Sequence, residues 1–123
     1  MKRILVVDDR PSDSLLVKSY LEATGLYVVQ EENRATAALA AAEKFLPALI
    51  LLDVLMPGLD GLELAESFRR SPLLQNVPIV FVTSLATKSE TATGAGPIGR
   101  YPVLAKPFIL SDLSACVARN LVS

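Results

Sequence analysis

Short apolar runs alternate with segments of helical character along the whole chain, and this alternation constrains the fold more than any other feature. The runs span residues 3–7, 27–31, 48–52, 77–82 and 101–105, of which 27–31 is the most polar. Apolar runs of this length are typical of parallel strands that helices cover on both faces. Because each run is followed by a helical segment, the sequence predicts an α/β domain with right-handed crossovers.

The segments between the runs carry helix start and stop signals. Pro11 suits the first turn of a helix and Gly25 its end. An alanine-rich helix is predicted over residues 36–46, before a proline. Two more helices are predicted over residues 60–70 and 111–121, with Asp60 and Ser111 as their caps.

One segment departs from this pattern. Residues 87–99 are rich in threonine, glycine and proline, so the helix expected there is predicted to be short or frayed. Five strands with alternating helices favour the doubly wound, flavodoxin-like sheet with strand order 2-1-3-4-5 and helices on both faces.

Length and composition exclude several classes of protein. The 123 residues suit a single domain, 1–123, and we expect no output domain in this chain, which is either a free-standing protein or an excised fragment. A net charge of −1 without a basic stripe argues against nucleic acid binding, and no apolar run is long enough for a membrane span. With no histidine and one cysteine, Cys116, histidine-based catalysis and zinc sites are excluded. We therefore expect a cytoplasmic protein.

Three carboxylates are predicted to meet at one edge of the sheet. Asp8 and Asp9 end the first strand, and Asp53 ends the third. In this fold, ligands bind at the carboxyl ends of the strands where the strand order reverses, which is between these two strands. Like charges this close repel one another, so a cation is expected among them. An all-oxygen set of ligands favours Mg²⁺, or alternatively Mn²⁺.

Two further strands bring groups to the same edge. Thr83 and Ser84 end the fourth strand and Lys106 ends the fifth. Each group alone is an ordinary strand-end or surface residue. Together, a carboxylate, a divalent cation, a hydroxyl and an ammonium are the groups that phosphoryl transfer requires.

At these positions the sequence resembles the receiver domains of two-component response regulators. The resemblance covers the whole chain in order and spacing. The matching segments are Ile4-Leu5-Val6-Val7-Asp8-Asp9, Leu51-Leu52-Asp53-Val54-Leu55-Met56-Pro57-Gly58-Leu59-Asp60-Gly61, Val80-Phe81-Val82-Thr83-Ser84 and Lys106-Pro107-Phe108.

The resemblance implies specific roles at the carboxylate edge. Asp53 would be the phosphoacceptor. Asp9 would bind Mg²⁺ directly and Asp8 largely through water, while Asp53 and the backbone carbonyl of Leu55 would be further ligands. The domain would assist its own phosphorylation and dephosphorylation without being an enzyme.

The resemblance also implies how the signal is passed on. Thr83 and Lys106 would contact the phosphoryl group, and the Lys106–Pro107 bond would be cis. The donor would be the phosphohistidine of a sensor kinase or of a phosphotransfer protein. The phosphorylated domain would then switch a surface for a downstream protein that the sequence does not identify.

Two positions depart from the family pattern. An aromatic residue usually stands three residues before the lysine, where this chain has Val103. Tyr101 lies two residues earlier on the same strand face. We expect it either to substitute in part for the missing aromatic residue or to be an ordinary aromatic residue of an edge strand. Arg10, directly after the acidic pair, is expected either to form an ion pair with Asp8, to reach the phosphoryl group, or to remain solvated.

Three alternative functions compete with a phosphorylated receiver. The altered residue at Val103 keeps open a receiver-like interaction module that never takes up phosphate. A metal-dependent phosphohydrolase usually has a second aspartate two residues after the nucleophile, but here Leu55 stands at that position. A flavin or nucleotide binder needs a glycine-containing first loop, whereas residues 8–11 are acidic and lack glycine.

Overall fold

The computed structural model describes residues 1–56, 59–83 and 101–121. Strands and helices alternate along these ranges, apart from a short antiparallel pair, β4 and β5, after the third strand. The strands are β1 (Lys2–Val7), β2 (Tyr27–Glu32), β3 (Leu49–Asp53), β4 (Leu55–Met56), β5 (Leu59–Asp60), β6 (Ile79–Thr83) and β7 (Val103–Ala105). The helices are α1 (Pro11–Ala23), α2 (Ala35–Phe45), α3 (Gly61–Arg70) and α4 (Leu110–Asn120).

The main sheet is parallel, with strand order β2-β1-β3-β6-β7. This is the doubly wound order that the alternation of elements predicted. In the register of the sheet, Val7 pairs with Leu52, Asp53 with Val82, and Thr83 with Ala105. The carboxyl ends of β1, β3, β6 and β7 therefore meet at one edge, as predicted.

The core consists of two layers, one on each face of the sheet. Alternate residues of β1 show the division: Leu5 and Val7 pack in the cluster with α2 and α3, whereas Ile4 and Val6 pack in the cluster with α1 and α4. Because both faces of the central strands are buried, these strands have no polar alternation. The residues of β3 and β6 are all buried.

The helix boundaries mostly follow the predicted signals. Pro11 is the first residue of α1, and Gly25 follows its end with a φ of 77°. Asp60 caps α3 by accepting a hydrogen bond from the Leu62 N–H at 2.9 Å. The alanine-rich helix is displaced by one residue from the predicted range, and Leu46 ends it with a φ of 53°.

The prediction that Ser111 caps the last helix was wrong. Helix α4 begins at Leu110, with Ile109 as its cap. The Asp112 carboxylate accepts a hydrogen bond from the Ile109 N–H at 3.4 Å, so the polar contact at this helix start comes from an acid inside the first turn and not from a serine before it. The predicted helix over residues 87–99 lies outside the described residues.

The helices that the structure describes in these ranges show no membrane-spanning character, since none combines the necessary length with the necessary apolarity.

The thiol of Cys116 is expected to react with a thiol reagent at least about 100-fold more slowly in the native protein than in urea. Cys116 is 2% exposed. Burial raises the pKa of this thiol, and the charge of Arg119 and a hydrogen bond from Asn120 offset only part of that effect. Because the thiolate is the reactive form, both burial and the raised pKa slow the reaction.

A colorimetric disulfide reagent measures this rate directly, since Cys116 is the single cysteine. The Cys116→Ser variant gives the background. Equal rates in the native and the urea-unfolded protein would contradict the burial of the Cys116 side chain between α4 and the sheet.

Candidate functional site

The three predicted carboxylates lie together at the carboxyl edge of the sheet. Asp8 and Asp9 follow β1, and Asp53 is the last residue of β3. One carboxylate oxygen of each lies within 4.8 Å of the others. Asp8 is 5% exposed and Asp53 is 7% exposed, while Asp9 is half-buried. The adjacency of β1 and β3 in the sheet brings together residues that are far apart in the sequence.

Lys106 brings a positive charge to these carboxylates. Its Nζ lies 2.9 Å from Asp8 Oδ2 and 3.7 Å from Asp53 Oδ2. The residue follows β7, and its backbone N–H donates to the carbonyl oxygen of Thr83 at 3.0 Å. The Lys106–Pro107 peptide bond is cis, as the resemblance implied.

The environment of Lys106 keeps its side chain charged. Burial lowers the pKa of the ammonium, but the hydrogen bond to Asp8 and the charges of Asp8 and Asp53 raise it by more, so the net shift is upward. Lys106 is therefore protonated throughout the neutral range. A fixed positive charge next to buried carboxylates lowers their mutual repulsion and attracts anionic ligands.

The carboxylate cluster fits a hard divalent cation. Its donors are all oxygen atoms, and they converge from two adjacent strands. Such donors select Mg²⁺ or Mn²⁺ over softer metals. Leu55, whose backbone carbonyl was predicted as another ligand, lies in β4 and pairs with Asp60. Its role as a ligand stays a prediction.

Asp13 belongs to this site, although the sequence analysis did not identify it. The residue lies in the first turn of α1, and its Oδ2 is 3.1 Å from Lys106 Nζ. An acid in a first turn usually interacts with the helix dipole, so its sequence position did not distinguish it. The spacing of Arg10 and Asp13 was a usable signal, because residues three apart contact each other at a helix start.

The side chain of Arg10 does not form the ion pair with Asp8 that was one of its three expected states. Its guanidinium Nε lies 3.7 Å from Asp13 Oδ2, and its side chain is 71% exposed. The contact with Asp8 is made by the backbone instead, since the Arg10 N–H donates to Asp8 Oδ1 at 3.0 Å. Of the three expectations for Arg10, the ion pair with Asp8 was wrong, because the start of α1 turns the side chain toward Asp13, whereas the high exposure agrees with a solvated side chain.

A partly buried polar network holds the turn between β1 and α1. Asn33 Nδ2 donates to the Asp8 carbonyl oxygen at 2.7 Å and to Ser14 Oγ at 2.9 Å. Ser14 Oγ in turn donates to Glu31 Oε1 at 2.8 Å. Ser14 is fully buried. This network, which the sequence analysis missed, fixes the backbone that carries Asp8 and Asp9.

Thr83 lies where it was predicted, at the end of β6, and it is fully buried. Val103 pairs with Phe81 in the neighbouring strand. The ring of Tyr101 packs edge-on against Phe81, with centroids 5.2 Å apart at an angle of 86°. Tyr101 precedes β7 but packs in the same core cluster as Val103, which confirms that the two share a face. Its switching role stays a prediction, and Ser84 lies outside the described residues.

A cavity of about 460 Å³ opens beside the carboxylates. Its polar wall contains Asp8, Asp9, Asp53 and Lys106, and apolar residues such as Leu16 and Phe108 line the remainder. The cavity therefore leaves space for a small molecule beside Asp53.

Comparisons with known proteins agree with this geometry. Residues 4–118 match the family model of the response regulator receiver domain. Response regulator Rre1 of Synechocystis is 33% identical over 120 residues, which cover 98% of this chain but 51% of Rre1. The chain thus spans about half the length of this relative.

Solved structures show the same similarity in three dimensions. The chemotaxis protein CheY4 of Vibrio cholerae superposes with a TM-score of 0.84 at 30% identity, covering 98% of this chain and 99% of CheY4. The receiver domain of the sensor histidine kinase PA1611 of Pseudomonas aeruginosa gives a TM-score of 0.81 at 27% identity, covering 97% and 96% of the two chains. That domain was solved with a magnesium ion coordinated in its active-site cleft. Together with the family match and the arrangement of carboxylates and lysine, these similarities establish that the chain belongs to the response regulator receiver domains of two-component signalling systems.

Proposed function

We propose that Asp53 accepts a phosphoryl group from a phosphohistidine donor in the presence of Mg²⁺, and that the modified domain then changes a protein-binding surface. The observation that supports this most strongly is the placement of one ammonium among the carboxylates. Lys106 Nζ lies 3.7 Å from Asp53 Oδ2 and 2.9 Å from Asp8 Oδ2. This arrangement provides a nucleophile, a fixed cation and oxygen ligands for a metal within one small volume.

In the proposed step, Asp53 displaces the donor's imidazole from phosphorus. A carboxylate oxygen of Asp53 forms a bond to phosphorus while the bond between phosphorus and the donor's imidazole nitrogen breaks. The electron pair of the broken bond stays on that nitrogen. The product on this chain is an acyl phosphate, and no proton needs to be removed from Asp53, which attacks as a carboxylate.

The residues around Asp53 lower the electrostatic barrier to this step. Asp8, Asp9 and Asp53 would hold Mg²⁺, which supplies charge neutralisation for the oxygens of the transferred phosphoryl group. The magnesium ion in the cleft of the PA1611 receiver domain supports this choice of metal. Lys106 carries a permanent charge toward the same oxygens, and the Thr83 hydroxyl at the end of β6 donates to one of them in our proposal.

The same proposal covers the partners and the location of the protein. A sensor histidine kinase or a histidine phosphotransfer protein would be the donor, in the cytoplasm. Family membership supports such a partner. The relatives include response regulator PleD as well as the phosphate regulon transcriptional regulatory protein PhoB, so the downstream protein is left open. The chain would act as a phosphoacceptor and not as an enzyme.

The presence of Val103 at the usual aromatic position favours one alternative, a receiver-like module that binds its partner without phosphorylation. Tyr101 packs against Phe81 and lies before β7, so a switch that uses this ring would differ from the family pattern. This alternative predicts that the domain binds Mg²⁺ but forms no phosphoryl adduct.

The test is the intact mass of the protein after incubation with acetyl phosphate, with Mg²⁺ or with EDTA. We expect a single phosphoryl adduct that requires Mg²⁺ and is lost in the Asp53→Asn variant. The substitution keeps the size of the side chain but removes the nucleophilic carboxylate. Absence of an adduct in the wild type, with Mg²⁺ binding confirmed by calorimetry, would support the phosphorylation-independent module instead.

A further inference from the structure

The ammonium of Lys106 has two close carboxylate partners and one more distant one. It lies 2.9 Å from Asp8 Oδ2 and 3.1 Å from Asp13 Oδ2, both within hydrogen-bond distance. The distance to Asp53 Oδ2 is 3.7 Å, which is longer than a hydrogen bond. The lysine is therefore hydrogen-bonded to Asp8 and to Asp13 in α1, and its ion pair with Asp53, the residue that we propose is phosphorylated, is the longest of the three.

Asp13 differs from the other carboxylates at this site. Its side chain is 32% exposed, against 7% for Asp8 and 8% for Asp53. The group of described residues whose oxygens converge on a metal position consists of Asp8, Asp9 and Asp53. Asp13 thus contacts the lysine of the site from outside the metal-binding group.

Arg10 helps to hold the Asp13 carboxylate in place. Its Nε lies 3.7 Å from Asp13 Oδ2, the same oxygen that accepts from Lys106. The carboxylate lies in the first turn of α1, where the helix dipole also favours a negative charge. Two cations and a helix terminus therefore hold the Asp13 carboxylate in this position.

We propose that Asp13 is a positioning residue that restrains Lys106 and thereby slows phosphorylation of Asp53. This inference rests on the proposed function of Asp53. For Lys106 to contact a phosphoryl group on Asp53, its ammonium must leave the oxygen of Asp13 or weaken that contact. The competing ion pair opposes this movement, so removal of the Asp13 charge releases the lysine toward the acceptor.

The test is a double-mutant cycle between Asp13→Asn and Lys106→Met, measured as the initial rate of adduct formation with acetyl phosphate and Mg²⁺. We expect Asp13→Asn to raise the rate about threefold to tenfold in the wild-type background. In the Lys106→Met background the same substitution is expected to change the rate by at most about twofold, which is the direct effect of one fewer charge. Equal rate ratios in the two backgrounds, or an unchanged rate in the wild type, would overturn the proposal.

Asp112→Asn is the matched control. Asp112 occupies the same position in the first turn of α4, where it accepts a hydrogen bond from the Ile109 N–H. Asp112→Asn therefore shows how much the rate of adduct formation changes when a helix start loses an acid that does not contact Lys106. A rate increase with Asp112→Asn equal to that of Asp13→Asn would assign the effect to general charge and would reject a role through Lys106. Asp13→Ala serves as a second variant that removes the amide oxygen as well.

Mg²⁺ affinity, measured by calorimetry, gives a readout that does not depend on phosphorylation. A released lysine competes with the cation for Asp8 and Asp53, so Asp13→Asn is expected to weaken Mg²⁺ binding about threefold in the wild type and less in Lys106→Met. If the wild type forms no adduct, the proposed function fails, but this cycle still decides the restraint. Equal losses of Mg²⁺ affinity in both backgrounds would then show that Asp13 does not act through Lys106.

Discussion

Substitution of Gly61 by alanine is expected to lower the free energy of unfolding by about 2–4 kcal/mol. A Cβ atom at this position would lie 2.8 Å from Val54 Cα and 2.9 Å from the Asp53 carbonyl oxygen. Both contacts are with backbone atoms, which cannot rotate away. The first turn of α3 or the segment after Asp53 must therefore move.

The sign of this effect is opposite to the one that helix propensity predicts. Gly61 is the first residue of α3, and alanine favours a helix over glycine by about 1 kcal/mol. The close approach of Val54 is expected to outweigh that gain. Since the same segment carries Asp53, we also expect weaker Mg²⁺ binding and slower adduct formation in Gly61→Ala.

Urea unfolding followed by circular dichroism measures the change, and Gly25→Ala provides the control. Gly25 has a φ of 77° and no neighbouring atom within 4 Å of an added Cβ. Its substitution is expected to cost about 1 kcal/mol through backbone strain alone, without an effect on Mg²⁺ binding. A Gly61→Ala protein as stable as the wild type would show that α3 does not approach Val54 this closely.

Substitution of Lys106 by methionine is expected to slow adduct formation about 100-fold while Mg²⁺ binding is kept. Methionine preserves most of the side-chain length but removes the charge that lies 3.7 Å from Asp53 Oδ2. In the proposed mechanism that charge would stabilise the oxygens of the arriving phosphoryl group. It also repels a cation, so Mg²⁺ is expected to bind up to about tenfold more tightly in the variant.

Lys106→Met is thus expected to slow adduct formation but to tighten Mg²⁺ binding. A general loss of structure at the site would weaken both. Intact mass gives the rate of adduct formation, and calorimetry gives the Mg²⁺ affinity. Lys44→Met is the control, because it removes one positive charge from an exposed position in the last turn of α2. If Lys106→Met lost both phosphorylation and Mg²⁺ binding, the lysine would be acting as a structural support for Asp8 and Asp53, and not on the phosphoryl group.

The sequence determined which residues meet at the carboxyl edge of the sheet, because their meeting follows from the strand order. Continuous apolar runs that alternate with helices permit essentially one sheet order, and this order places strand-end residues at a common edge. In the structure, five residues each lie at the end of a strand or within two residues after it: Asp8, Asp9, Asp53, Thr83 and Lys106. Their convergence could therefore be predicted without coordinates, because it needs only the order of the strands.

Other features depended on tertiary structure. The contact between Lys106 and Asp13 joins residues 93 positions apart, and it requires the direction of a side chain in the first turn of α1 as well as the position of β7. The hydrogen bond from Asn33 to the Asp8 carbonyl oxygen and the approach of Gly61 to Val54 also depend on distances of a few tenths of an ångström between separate segments. Sequence periodicity specifies which face a residue occupies, but not the rotation and depth at which two elements pack. For this reason the sequence determined the sheet and the residues at its edge, while only the tertiary structure decided which charges contact Lys106 and how closely α3 approaches Asp53.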